Sequence, residues 1–435
     1  MLKKIIKANF YGWINVSLLF VIYGTAMGIV FYGFTVIFPV MIKTQGWGRG
    51  DASLAHTIRG IIVGLLAPMV ALTINRYGTR LTMSIGLGIM TVSMLLLGLF
   101  ASQLWHWIFL WGIIMPFAFA FSGIIPIQTT IMFWFNVKRA TVLGIVLTGA
   151  AVAGFIITPL LTWIMQMAGS WELGWLIIGI FSLIALIASY WIIGKPSDIG
   201  QHIDGINSDD NRTVTGSGVL KSAKTFRTSV SWTLKETLHT WALYLTMLVM
   251  LAQLWSLYIV TVHGVLHLTD VGFSALQASS IISIIILSSG VARFPMGIAG
   301  DRIEPHWILS AAMGIMALSL FGIWKAPLNI SAMLVIGSIY GFAFGTTVVM
   351  LPAMIGNYFG PSSFASINGF IQPFLIGLGA PVPVLAGYIA DKYGNYDLAF
   401  IGVLIMLLFG AVCASLASPP HKSDLEKAPH IVLKA

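Results

Sequence analysis

Long apolar runs broken by charge, glycine, proline or asparagine dominate the chain, and they predict twelve helices. The expected spans are 12–41, 52–73, 81–101, 107–133, 141–166 and 173–193, then 240–264, 275–299, 307–324, 329–354, 365–389 and 398–416. Each is close to the roughly 20 apolar residues needed to cross a hydrocarbon core. Between the sets lies 194–238, the longest polar stretch, holding Asp204, Asp209, Asp210 and the group Lys221, Lys224 and Arg227. The pattern therefore predicts an all-α membrane protein, with twelve transmembrane helices in two pseudo-symmetric six-helix bundles. Residues 1–193 form the first bundle, 194–238 a linker, 239–416 the second bundle and 417–435 a tail.

The two sets echo each other. Asn75-Arg76 at the end of helix 2 matches Asp301-Arg302 at the end of helix 8. Trp134-Phe135 and Gly144 match Tyr358-Phe359 and Gly369, and Trp171-Glu172-Leu173 matches Tyr396-Asp397-Leu398. The spacing stays at about 225 residues, the mark of a duplicated unit. Parallel repeats about an axis along the membrane normal place a binding site at their shared interface.

Composition excludes a water-soluble fold. Of 435 residues, 58% are hydrophobic and only 9% charged, with a mean hydropathy of +0.93, whereas a soluble surface needs about a quarter charged residues. The single cysteine, Cys413, excludes an intrachain disulfide and a multi-cysteine metal site. Lys+Arg exceed Asp+Glu by 23 to 14, but the bases sit in loops between spans, so no nucleic-acid partner is expected. With both ends inside, seventeen bases fall on the cytoplasmic side and four (Lys43, Arg49, Lys325 and Lys392) on the other. By the positive-inside rule, both termini are cytoplasmic. The basic start, Met1 to Lys7, leads into a run too long for a signal-peptide core and lacks a cleavage site, so no cleavable leader is expected.

With its two six-helix sets and Asn75-Arg-Tyr-Gly-Thr-Arg80 after helix 2, the chain resembles the major facilitator superfamily. Phe10-Tyr-Gly-Trp13, Trp134-Phe-Asn-Val-Lys-Arg-Ala-Thr-Val-Leu-Gly144 and Pro196-Ser-Asp-Ile-Gly200 resemble signatures of its monocarboxylate transporter and oxalate:formate antiporter group, the last as found in bacterial members. The resemblance implies an alternating-access carrier in the cell membrane, a bacterial inner membrane, with no cofactor. It would move a small organic anion together with protons or against a counter-anion, working as a monomer surrounded by lipid. Three departures matter. Asn75 replaces the acid expected in the first-half loop, Ser289 replaces an acid one turn before Arg293, and helix 11 has no lysine for a second carboxylate. One cation suits one carboxylate, so a monocarboxylate such as lactate, pyruvate or formate is expected rather than a dicarboxylate.

Arg293 is the central candidate. It lies eight residues before Asp301, roughly 12 Å into the membrane, where a buried arginine costs at least about 2.5–3.5 kcal/mol. No Asp or Glu lies in any expected span to neutralise it, so its planar fork is expected to bind a substrate carboxylate; an arginine held by main-chain carbonyls is the alternative. Tyr340, Gln372 and, more weakly, Tyr32 are candidate donors to the same substrate, against the plainer reading of interhelical hydrogen bonds. Tyr23 and Gln253 are further weak candidates. His56, one turn from Arg59, is the candidate proton carrier, while Arg59 itself is expected to snorkel to the outer surface. Arg76, Arg80, Asp301 and Arg302 are expected to form ionic latches between helix ends, weaker at Asn75 than at Asp301.

Two other functions remain open at this stage. The same scaffold could export a neutral or drug-like solute. A polytopic membrane enzyme would need clustered chemistry, and only His263, His267 and Asp270 gather at one helix end. Their spacing permits a metal, but a polar helix end is the expected reading, and no metal site is predicted.

Overall fold

A computed structural model of the chain describes residues 10–206, 225–325 and 327–420. Asp209, Asp210, Lys221, Lys224 and most of the tail fall outside that set. Among the described residues there is no strand. The spans are α1 Gly12–Gln45, α2 (49–77), α3 (79–100), α4 Leu104–Trp134, α5 Arg139–Ala168 and α6 Glu172–Ser189. The second set is α7 Trp241–Val271, α8 Ala275–Gly300, α9 Pro305–Lys325, α10 Ile330–Phe359, α11 Pro361–Tyr393 and α12 Asp397–Leu416. Most bounds fall within a few residues of the sequence expectation, because a break in hydropathy and a break in helical hydrogen bonding have the same cause. A backbone in lipid must satisfy its own polar groups and can leave the helix only near water.

The α2–α3 junction is a single residue. Arg49–Phe100 is one helical stretch broken at Gly78, with φ 82° and ψ 168°, a region essentially reserved for glycine. Three wide π-helical turns, Gly24–Ile29 in α1, Ile108–Ile114 in α4 and Ile259–His263 in α7, re-aim side chains at mid-span.

Packing repeats between the halves. In the first, α2 meets α4, where Trp107 Nε1 donates to the Ala52 carbonyl at 2.8 Å, α3 meets α6, where Ser84 and Ser189 share a 2.8 Å bond, and α1 lies on α5. In the second, α8 meets α10, α9 meets α12, and α7 meets α11. The halves touch through α5 against α8 and α2 against α11, pairs exchanged by the pseudo-twofold.

Placing any side chain at Gly78 forces it into glycine-only backbone space, costing about 1–3 kcal/mol. Gly78→Val is expected to lower the melting temperature of the detergent-purified protein. Gly88→Ala, in a helical position with open space around it, should leave it unchanged.

Candidate functional site

Small residues bring the halves together. Gly144 of α5 lies so close to α8 that an added methyl would collide with the Arg293 carbonyl, and Gly369 of α11 meets Ala67, Pro68 and Ala71 of α2. These are the two glycines matched by the repeat. Beyond them, at the end of the bundle that carries the linker, polar groups close the seam. Asp301 accepts from the backbone N–H groups of Ala140 and Thr141, both at 2.9 Å, at the start of α5 in the other half. A carboxylate on free N-terminal amides is favoured by both hydrogen bonding and the helix dipole. Asn75, its repeat partner, makes one neutral bond to Ser366 of α11, at 2.8 Å. Asn75 thus makes fewer contacts across the seam than Asp301, and no ionic one.

The remaining latch residues differ from expectation. Arg76, Arg80 and Arg302 are exposed; Arg76 lies over the Tyr77 ring. Arg227 of the linker joins the seam instead, donating to the Asn136 carbonyl at 2.9 Å and pairing with Asp301 at 3.4 Å. Arg139, 3% exposed, bridges the halves through Asn357 Oδ1 at 3.0 Å. Asp204 accepts from the amides of Asn136 and Val137, and Glu304 accepts from the Phe226 amide. Linear spacing could not reveal these, since three of the groups lie in the linker or beside it and meet only after the helices pack. Burial pushes the carboxyls of Asp301 and Asp204 above the usual range, with the amide bonds and Arg227 pulling the other way. Burial likewise lowers Arg227, opposed first by Asp301.

Arg293 sits at mid-seam, half-buried. Its Nη1 donates to the Leu147 carbonyl of α5 at 2.5 Å, while Nε is buried without a partner. The Ser289 hydroxyl, one turn earlier on α8, is also buried and unpartnered. On α1, the Tyr32 ring packs over Gly154 of α5. Of the sequence candidates, Arg293 and Tyr32 therefore both pack against α5.

Tyr340 does not join them. It is 2% exposed, and its hydroxyl is committed to Ser256 of α7, 2.6 Å from Oγ and 3.0 Å from the carbonyl. The interhelical bond is its role, because its ring points into the second bundle rather than the seam. Gln372 lines a separate cavity of about 310 Å³ among α4, α7, α10 and α11. Gln128, Gln253, Thr347 and Asn368 share that lining, and Gln253 donates to Thr347. Of these, Gln128, Thr347 and Asn368 were missed, although an amide inside an apolar run is itself a visible signal.

His56 is half-buried on α2 and stacks on Phe34, ring centres 5.2 Å apart. Arg59 does not snorkel. Its guanidinium lies over Phe119, Trp111 and Phe31, at 4.8, 5.5 and 5.9 Å, and Nη2 is 3.3 Å from His56 Nε2. The aromatic wall that captures it comes from α1 and α4, which no spacing on α2 could reveal. The His263–His267 end is structural. His263 pairs with the Pro383 carbonyl and Tyr396, and His267 with the carbonyls of Ile323 and Trp324. Among the described residues no three metal-ligating side chains converge.

The chain was compared with known proteins. The family model described as Major Facilitator Superfamily matches residues 16–380 and, again, 254–432. Monocarboxylate transporter 13 of Bos taurus is 25% identical over 362 residues, covering 82% of this chain and 77% of its own. Its Rattus norvegicus counterpart is 24% identical over 447 residues, covering 96% and 94%. Among solved structures, a Major Facilitator Superfamily transporter, FucP, in the outward conformation superposes with a TM-score of 0.70 at 13% identity, over 93% of this chain and 99% of that one. A second structure, of the E. coli fucose:proton symporter FucP, gives 0.67.

Removing the Asp301 carboxylate deletes a charged acceptor of two amides and Arg227, bonds worth about 1.5–3 kcal/mol each. In a Cys413→Ser background with Ala151→Cys as reporter, a position of α5 that faces Gly290 of α8 at the seam, Asp301→Ala is expected to speed thiol labelling from the linker end at least about tenfold. Arg76→Ala and Arg302→Ala should leave the rate unchanged.

Proposed function

The chain belongs to the Major Facilitator Superfamily and is a multi-pass membrane transporter of a small molecule rather than an enzyme; from that premise we propose that it carries a small monocarboxylate by alternating access. The observation that carries this reading is Arg293: a half-buried cation at mid-seam, bonded to one carbonyl, with an unpartnered Nε and Ser289 Oγ beside it. A single carboxylate would satisfy the fork that Leu147 leaves incomplete. Tyr32, which packs on α5, would help hold that anion. The similarity to proteins named monocarboxylate transporters supports the same substrate class.

In this reading bundles 1–193 and 239–416 rock about the site, and the linker end faces the cytoplasm of a bacterial inner membrane. The basic bias of the loops supports that orientation. The hydrogen bonds that the described residues make between the halves lie at the linker end and mid-seam, so this state opens toward the opposite side. Arg293 reaches across to α5, so an anion that competes with the Leu147 carbonyl would loosen the seam as it binds. Substrate arrival would thereby favour the switch. Coupling is by proton symport or anion exchange, and the carrier works as a monomer. His56, half-buried beside Arg59, is the proton carrier in the first case.

A second reading, a neutral polar solute, is favoured by the amide-lined cavity at Gln128, Gln253, Asn368 and Gln372, which no charged side chain lines.

Proteoliposomes loaded for lactate uptake distinguish these readings. Arg293→Ala is expected to weaken lactate handling by about one to two orders of magnitude with an unchanged melting profile, while Gln372→Ala has a smaller effect. Full activity in Arg293→Ala, or loss only in Gln372→Ala, supports the neutral solute instead. In the proton-coupled case, His56→Gln flattens the pH dependence of uptake.

A further inference from the structure

We propose that Arg59 is the centre of a second anion-binding site, built in the first half with His56 and Trp111 and suited to a small carboxylate. The site is separate from Arg293, which lies on α8 of the other half and faces α5. The choice of a carboxylate as ligand rests on the proposed function; the site itself does not.

The geometry begins with charge. Arg59 lies ten residues into α2, roughly 15 Å from its start, inside the apolar part of the protein. Its described partners are three aromatic rings and one imidazole. No carboxylate among the described residues bonds to it. Aromatic faces ease the burial of the charge, but a π face is a poor acceptor for the N–H groups at the edge of the fork. Arg59 Nε is accordingly buried without a partner. An unmet charged donor is costly.

The neighbours point the same way. Arginine only donates, so the 3.3 Å contact requires His56 Nε2 to accept, which puts the neutral ring's proton on Nδ1. That Nδ1 is buried and unpartnered, as is Trp111 Nε1. Arg59, His56 and Trp111 thus hold three unsatisfied N–H donors, with the imidazole and the indole each against the guanidinium. A carboxylate is acceptor-only and planar, and it matches such a set. The rings of Phe31, Phe34 and Phe119 provide apolar walls for a short carbon chain. Phe31, 40% exposed, stands at the edge of the group. A purely structural cation–π anchor would explain the rings but leave all three donors unmet.

Equilibrium binding of radiolabelled lactate to the purified full-length protein tests this. Wild type is expected to bind two lactates per chain, Arg59→Gln one, Arg293→Gln one, and the double variant none. Arg59→Lys, which keeps the charge but loses the fork, is expected to bind at the second site about tenfold more weakly. One lactate per wild-type chain, or wild-type stoichiometry and affinity in Arg59→Gln, overturns the proposal. If Arg59→Gln does not fold, the Arg293→Gln protein decides: with Arg59 intact it must still bind one lactate, and failure to do so overturns the second site. Arg293→Gln that keeps both lactates while Arg59→Gln keeps one leaves this site standing and removes Arg293 from the proposed function.

Discussion

The closeness of α5 to α8 is the constraint on which the rest depends. Gly144 lets the two backbones meet where Arg293 sits, and from that contact three consequences follow. Arg293 can reach a carbonyl of the opposite half. The start of α5 comes within hydrogen-bonding distance of Asp301. Gly297 of α8 can pack against the Ala140 carbonyl of α5. A larger residue at 144 would separate the helices and undo all three.

The duplication gives this seam a twin that is built differently. Where α5 meets α8, a carboxylate caps two amides and a linker arginine joins it. Where α2 meets α11, an amide meets a hydroxyl. Ionic hydrogen bonds are roughly twice as strong as neutral ones, so the two sides of the pseudo-twofold resist opening unequally. The linker is part of the stronger side: Arg227 ties to both Asn136 and Asp301, and the Thr228 amide donates to Asn357 at 2.9 Å. A connecting segment that contacts both halves can bias which end is closed.

The distribution of buried polar groups also separates two kinds of chemistry. One cavity is lined by amides and hydroxyls around apolar walls. Two arginines, Arg293 at the seam and Arg59 inside the first half, keep unpartnered donors. Their surroundings differ, since a main-chain carbonyl meets Arg293 whereas aromatic faces frame Arg59. An anion would meet a hydrogen-bonding frame at the first and an apolar one at the second.

Hydropathy and spacing alone determined the twelve spans, the duplication and the presence of an arginine within α8, because lipid imposes its demands on each helix locally. The glycine pair 144 and 369 and the contrast between Asn75 and Asp301 were legible for the same reason: each is written in a short motif and its repeat. Tertiary structure decided what depends on which helix stands opposite. It committed Tyr340 to Ser256, sent Gln372 into a separate cavity, and left Arg76, Arg80 and Arg302 exposed while Arg227 took the latch. It also turned Arg59 from a surface residue into a caged one. A helical period says which residues share a face, but the partner of that face lies many residues away in the chain, and packing selects it.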